Sequence, residues 1–491
     1  MSITQKAVPL SVSTTNHTMK KSTWKAQHKW LGLILSFFLL MFCLSGLVLN
    51  HPSLFAGINV SRSLLPPRYH YKNWNSGLLR GSVSWHGKVL IYGNNGIWAT
   101  DSMARSFTNF NRGLPQGVDG QLIRGMVVTA DGKLFAASQY QLYVYDDQKG
   151  WIDTGLDNGD ERLNDIATQG KDSLIITGRS HIFVARAPYR HFETITLQKG
   201  TDDDGRVSLF STLWQLHSGA LFGLVGKLIV DAIAIILIIL VVTGLLFWFL
   251  PKVHYHGPAI FQSFKLHNKL GRTTIVLTLF IAISGWMLRP PGLIAIASGR
   301  IPAIPFSSMA SKNPWNDQLR ALRYDSTCND YILSTSKGFY TLRSLRDQLV
   351  PVTNQPPVSV MGINVLHERG DGRWIVGSFS GLYLWDRKDN YIADVFTDDQ
   401  EGNMIPISAH AITGLCTDFK GGDVIVDYND GTTRFPMPTF METLPMSLRL
   451  VALEIHTGRI YPFGFSGMLY IFLVGIAIVW CLWSGYKRRK R

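Results

Sequence analysis

The hydrophobic pattern divides the chain into long apolar runs and long stretches of alternation. Four runs reach the roughly 20 apolar residues that a bilayer crossing requires: 30–50 (WLGLILSFFLLMFCLSGLVLN), 228–250, 273–288 (extendable backwards through LHNKLGR) and 467–486. The first is too long for a secretory leader, and no small-residue cleavage site follows it, so it reads as an uncleaved span. Between the spans the period changes to two. KVLIYGNNGIWATD, KLFAASQYQLYVYD and SLIITGRSHIFVAR start at Lys88, Lys133 and Ser173; YILSTSKGFYTLRS, RWIVGSFSGLYLWD and DVIVDYNDGTTRFP start at Tyr331, Arg373 and Asp423. Each is an alternating strand, a polar or Gly turn and a second strand, the mark of a hairpin. Their spacing of about 40–50 residues is that of propeller blades.

The spans also repeat. HKWLGLILSFFLLMFCLSGLVL from His28 aligns with HNKLGRTTIVLTLFIAISGWML from His267, and both reach Ser-Gly at the same distance (Ser45-Gly46, Ser284-Gly285). LHSGALFGLVG from Leu216 aligns with IHTGRIYPFGFSG from Ile455, and the spans that follow close on Thr243-Gly244 and Ser484-Gly485. The predicted fold is a four-span α-helical membrane bundle of two parallel span–domain–span repeats, plus an all-β external domain. Such a repeat implies a pseudo-twofold axis along the membrane normal. The six hairpins predict one β-propeller of six or seven blades built from both external segments; two open sheets packed face to face, or two unrelated β-sandwiches, are the alternatives.

Charge orients the bundle. Residues 1–29 hold Lys6, Lys20, Lys21, Lys25 and Lys29, residues 251–272 hold Lys252, Lys265, Lys269 and Arg272, and the tail 487–491 is wholly basic, with no acid in any of the three. These fourteen charges equal the net charge of the whole chain, +14. The excess is a positive-inside signal, not the basic stripe of a nucleic-acid binder. The predicted layout is a cytoplasmic N-terminus (1–29), first span (30–50), external β segment (51–215), interfacial turn and second span (216–250), cytoplasmic loop (251–272), third span (273–290), second external β segment (291–455), interfacial turn and fourth span (456–486) and cytoplasmic tail (487–491). Both termini are then cytoplasmic, in a bacterial inner membrane, with the large segments periplasmic. Hydrophobic residues at 46% and charged residues at 17% agree with membrane spans. Cys328 and Cys416 lie in one external segment, where a bridge is open, and the absence of CxxCH excludes covalent c-type haem.

The candidate chemistry is in the histidines. His28 and His267 begin the first and third spans; His217 and His456 precede the second and fourth. A twofold repeat sets equivalent residues face to face, and two facing imidazoles suit the axial positions of a haem b, two in all. Ser/Thr-Gly pairs on facing helices would admit the flat macrocycle, with Trp30, Phe37, Trp248, Trp286 and Trp483 as apolar walls. The plainer explanation is that these are interface histidines and helix-packing glycines. His51, His254 and His256 lie near interfaces without a repeat partner; His51 is a weaker candidate to replace an external ligand. Asp231, the acid inside a span, reads as an i,i+4 partner of Lys227 or as a proton- or propionate-handling group.

HKWLGLILSFFLLMFCLSG, the LHSGALFGLVGKLIVDAIAIILIILVVTGLLFW run, KLHNKLG and IHTGR resemble the PepSY-associated transmembrane helix family. That resemblance covers about a quarter of the chain. It implies an inner-membrane ferric-siderophore reductase (a metalloreductase) holding two b-type haems, with His28, His267, His217 and His456 as axial ligands to the haem iron. Its substrate would be a periplasmic ferric chelate, reduced for iron release, and its electrons would come from quinol or a separate reductase. No PepSY module is legible in 51–215 or 291–455. The competing reading is a membrane-anchored, propeller-type binding or sensory protein without redox activity.

Overall fold

A computed structural model describes residues 21–255, 257–359, 361–396, 410–461 and 464–487. Helix α1 (Lys21–Asn50) is the first long apolar element. The short helix α2 (Leu209–Ser218) leads into α3 (Gly223–Phe249). Helices α4 (Pro258–Thr273) and α5 (Ile275–Met287) follow, then the short α6 (Leu448–His456) and α7 (Gly464–Lys487). Among the described residues three helices are long and apolar enough to cross a bilayer; a fourth crossing requires α4 and α5 together, bent by 69°.

Of the expected third span of 273–290, 275–287 is α5, and much of the expected loop of 251–272 is helical as α4. At about 1.5 Å per residue, α5 alone covers only about 20 Å of a roughly 30 Å hydrocarbon layer. The bend falls at Thr273-Thr274, whose hydroxyls donate to the carbonyls of Lys269 and Leu270. Such bonds compete with the helical ladder and bend helices. In the first repeat the aligned positions are Ile34 and Leu35, which carry no hydroxyl, and α1 runs through unbroken.

The two short helices are alike because their sequences are. Ser208 and Ser447 cap them, each hydroxyl accepting from the amide three residues on, at 3.2 Å. Each carries its histidine in the last turn, and each is followed by a glycine at positive φ, Gly219 at 77° and Gly458 at 72°. That conformation strains any residue with a Cβ.

The external part is all β. Each β-unit opens with an inner strand: β1 (Gly81–Trp85), β2 (Ile123–Val128), β3 (Leu163–Gln169), β4 (Leu319–Asp325), β5 (Ile363–Glu368) and β6 (Ile412–Cys416). Units two to five are antiparallel four-stranded sheets; β1 begins a fifth four-stranded set of the same kind, to which β6 adds in parallel at Gly81 and Leu415. Five of the six expected hairpins form the middle strands of these sheets. The sixth keeps only Val424–Asp427: its second half is drawn away because the Thr432 amide donates to the Asn73 carbonyl. Buried clusters lie between successive units. Leu90 and Ile97 pack with Met126 and Leu134, and Ala137 and Leu142 with Ile166 and Ile176. Ile175 and Ile182 meet Leu322 and Leu333; Phe339 meets Trp374; Leu382 meets Ile412. Cys416 and Val426 then pack on Val89 and Ile91 of the first unit. Burying one such side chain contributes about 1.5–3 kcal/mol, so the interfaces between units are the main apolar core of the domain. Cys328 and Cys416 are free thiols.

Candidate functional site

The four repeat-related histidines form two facing pairs. The rings of His28 and His267 lie 6.0 Å apart, centroid to centroid, with planes at 63°; those of His217 and His456 lie 6.1 Å apart at 50°. Along α1, His28 is 18 residues before Gly46, which adjoins His456, so the pairs are separated by about 27 Å of helix. That is close to the hydrocarbon thickness of about 30 Å.

Each ring is seated the same way. The Nδ1–H of His28 donates to the Cys481 carbonyl at 2.9 Å, and that of His267 to the Leu240 carbonyl at 2.9 Å. The Nδ1–H of His456 donates to the Phe42 carbonyl at 3.0 Å, and the His217 ring is hydrogen-bonded to the backbone of Ile281. A hydroxyl adds a second acceptor in three cases: Thr243 beside His267 at 3.2 Å, Ser45 beside His456 at 3.1 Å and Ser284 beside His217 at 3.1 Å. These hydroxyls give their own protons to carbonyls of their helices. A carbonyl can only accept, so the proton of each neutral imidazole sits on Nδ1 and the basic lone pair on Nε2.

The glycine that follows each hydroxyl makes room for the ring. A Cβ on Gly46 would lie 3.3 Å from His456 Cε1, and on Gly244 3.4 Å from His267 Cε1. On Gly285 it would lie 2.6 Å from His217 Cε1, and on Gly485 2.7 Å from His28 Cε1. The expected role of these small residues was to admit a flat macrocycle; in the structure they hold the histidines. The arrangement is crossed: His28 and His217, from the first repeat, sit on the second repeat's Ser484-Gly485 and Ser284-Gly285, while His267 and His456 sit on the first repeat's Thr243-Gly244 and Ser45-Gly46.

Burial lowers the His217 pKa; burial and then the neighbouring His217 lower that of His456 to about 4. Both shifts favour the neutral imidazole, the form that binds metals. Among the described residues no group of three or more His, Cys, Asp or Glu converges as a bare ion requires. Each pair brings together two imidazole rings carried by different helices.

The weaker candidates fall elsewhere. Asp231 is not paired with Lys227: its carboxylate accepts from His51 Nε2 at 2.8 Å and from Asn50 Nδ2 at 2.9 Å. His51 is thereby held by Asp231 instead of replacing an external ligand, and both tie the end of α1 to α3. His254 caps the turn after α3, and His256 lies outside the described residues. Trp30 and Phe37 are exposed on the bundle's outer face, Trp248 lies under Lys252, and Trp286 packs against Gly475 and Phe472. The carbonyls of Cys481, Leu240, Phe42 and Ile281 were not foreseeable as partners, although the Ser/Thr-Gly pairs beside them were visible.

These features define a multi-pass membrane protein with an all-β external domain. Residues 3–251, just over half of the chain, match the PepSY-associated TM region family, and the chain belongs to it. No curated protein matches it. Among solved structures, the extracellular domain of a hybrid two-component system from B. thetaiotaomicron is 11% identical over 73% of this chain and 32% of its own, at a TM-score of 0.36. This chain thus spans about a third of that relative. A virginiamycin B lyase from Staphylococcus aureus with quinupristin is 9% identical over 74% of this chain and 95% of its own, at 0.36. PorZ of the Porphyromonas gingivalis type-IX secretion system is 12% identical over 74% and 38%, at 0.31. Likenesses this slight carry no argument about the present chain.

Proposed function

We propose that the protein is an inner-membrane haem-b oxidoreductase that passes electrons across the bilayer to a periplasmic ferric chelate, releasing iron by its reduction. The observation that carries the reading is the pair of facing histidine couples. A metal–nitrogen bond of about 2.0–2.1 Å on each side, plus about 1.1 Å from nitrogen to ring centre, requires about 6.3 Å between centroids; the pairs have 6.0 and 6.1 Å. Two donors without further protein ligands suit an iron whose other four positions belong to a macrocycle. His28 and His267 would hold one haem b, His217 and His456 the other, and the groups would supply one-electron redox chemistry.

The protein's own part is positional. The Nδ1–H bonds to helix carbonyls fix ring orientation and raise ligand basicity. The apolar helices exclude water. Four crossings, with the α4–α5 pair as the third and both termini cytoplasmic, place one couple near each membrane face; the basic segments support that orientation. The external units form a closed six-bladed propeller in this reading, supported by the packing of the sixth unit on the first. Electrons come from quinol or a separate reductase.

The test is the visible spectrum of the full-length protein, made with ample haem, oxidised and then reduced with dithionite. Two equivalents of a b-type chromophore are expected, one lost in His217→Ala/His456→Ala. Absence of Soret and α bands overturns the proposal.

A further inference from the structure

Arginines gather where the inner strands approach α6. In units two to six the inner strand slips by one residue, and the residue left out of pairing is Arg124, Asn164, Arg320, Asn364 or Thr413. Arg80 holds the corresponding place before β1. A bulge re-aims the extra side chain, and here every one is polar. They reach across units: Arg80 Nη1 lies 3.5 Å from Asn364 Oδ1, and Asn164 Nδ2 donates to the Leu319 carbonyl at 2.7 Å. Arg162, Arg179 and Arg449, the last from the first turn of α6, join the group.

The charges do not balance. Asp119 takes Arg449 in a bidentate pair at 2.8 and 2.9 Å, and Asp317 takes Arg179. Among the described residues Arg80, Arg124, Arg162 and Arg320 have no ion pair. Burial, then Arg80, Arg162, Arg449 and Arg179, pull the Arg124 guanidinium down to about 9; burial and Arg179 pull Arg320 down to about 10. Two buried donors are also unsatisfied: Arg124 Nε, and Nε2 of Gln139, whose Oε1 accepts from Arg124 Nη2 at 3.4 Å. Gln139 is 2% exposed. Unmatched guanidiniums and orphan buried donors destabilise a fold; they become favourable when an acceptor-rich anion pairs with them.

We propose that Arg80, Arg124, Arg162 and Arg320 bind a multiply charged polycarboxylate between the β-units and the outer histidine pair. The four guanidiniums come from four different units, which suits several carboxylates on one ligand better than one compact oxyanion. Arg449 and His456 are seven residues apart on α6, about 10 Å, so the ligand lies beside the outer couple. Its identity as the electron acceptor rests on the function proposed above; the binding of the anion does not.

The experiment is calorimetric titration of the detergent-solubilised full-length protein with citrate, ferric citrate, inorganic phosphate and the cationic ferric trihydroxamate ferrioxamine B. Citrate and ferric citrate are expected to compete for one site, weakened by salt, and ferrioxamine B is expected not to displace them. Arg124→Gln should weaken citrate about tenfold or more, and Arg124→Gln/Arg320→Gln further, with melting temperatures no lower than wild type. The proposal is overturned if citrate does not bind, if the double variant binds it as wild type does, or if phosphate binds as tightly. The wild-type competition alone decides should a variant fail to fold. Citrate binding without a haem spectrum would sink the redox function and leave this site standing; a haem spectrum with citrate binding unaffected by the substitutions would do the reverse.

Discussion

The four cradle glycines carry a graded prediction. Carbon atoms in good contact lie about 3.5–4.0 Å apart. An alanine methyl at position 285 or 485 would stand 2.6 or 2.7 Å from a histidine Cε1, whereas at 46 or 244 it would stand at 3.3 or 3.4 Å. The rings cannot swing away freely, because each is hydrogen-bonded to the backbone of the same facing helix. At position 485 the methyl would also crowd His28 Nδ1 itself, at 2.9 Å. Overpacking of this kind costs about 1–3 kcal/mol, equivalent to roughly a 5- to 150-fold loss of affinity for whatever the ring ligates. At 46 and 244 the small contact is offset by alanine's helix preference of about 0.8–1 kcal/mol over glycine. Haem titration followed by reduced-minus-oxidised spectra should therefore show Gly285→Ala weakening one haem equivalent, Gly485→Ala weakening the other, and Gly46→Ala and Gly244→Ala retaining both. Four variants of equal behaviour, or greater damage at 46 or 244, would refute the seating argument.

Arg449→Ala strands a carboxylate, Asp119, that is 2% exposed, and should cost about 3–5 kcal/mol in a detergent melt; the double change Arg449→Leu/Asp119→Leu should recover much of the loss. Asp231→Ala leaves His51 and Asn50 without their acceptor and should lower stability by about 1–3 kcal/mol, while Lys227→Ala, which removes no such bond, should have little effect. Burial holds His367 below its ordinary pKa, the nearby Asp423 opposing. The unfolded chain then takes up the proton first, so stability should fall as pH drops below about 6.5. His367→Gln should flatten the melting temperature against pH in that window; an unchanged slope would remove His367 as its source.

The histidine couples were legible because two copies of one motif keep the same spacing, and symmetry then fixes who faces whom. The hairpins were legible from alternation, except the sixth, whose second half is claimed by a distant carbonyl at Asn73. The bend at Thr273-Thr274 was hidden because hydropathy counts those residues as neutral and ignores what their hydroxyls bond. Helix periodicity offers Lys227 as one reading of Asp231, but His51 and Asn50, remote in sequence, are its partners. The arginine positions were invisible for another reason: a one-residue slip in five strands decides which side chain turns inward, and alternation alone predicts the opposite face.

The crossed seating of the histidines sets an order of events during synthesis. His28 is made long before Ser484 and Gly485: its carbonyl partner Cys481 lies 453 residues further on. Neither half of the chain holds an assembled couple, so a truncated or stalled product has rings without seats. Completion of α7 is thus the step that seats His28 and finishes the inner couple, whereas the outer couple has all of its residues once His456 is made.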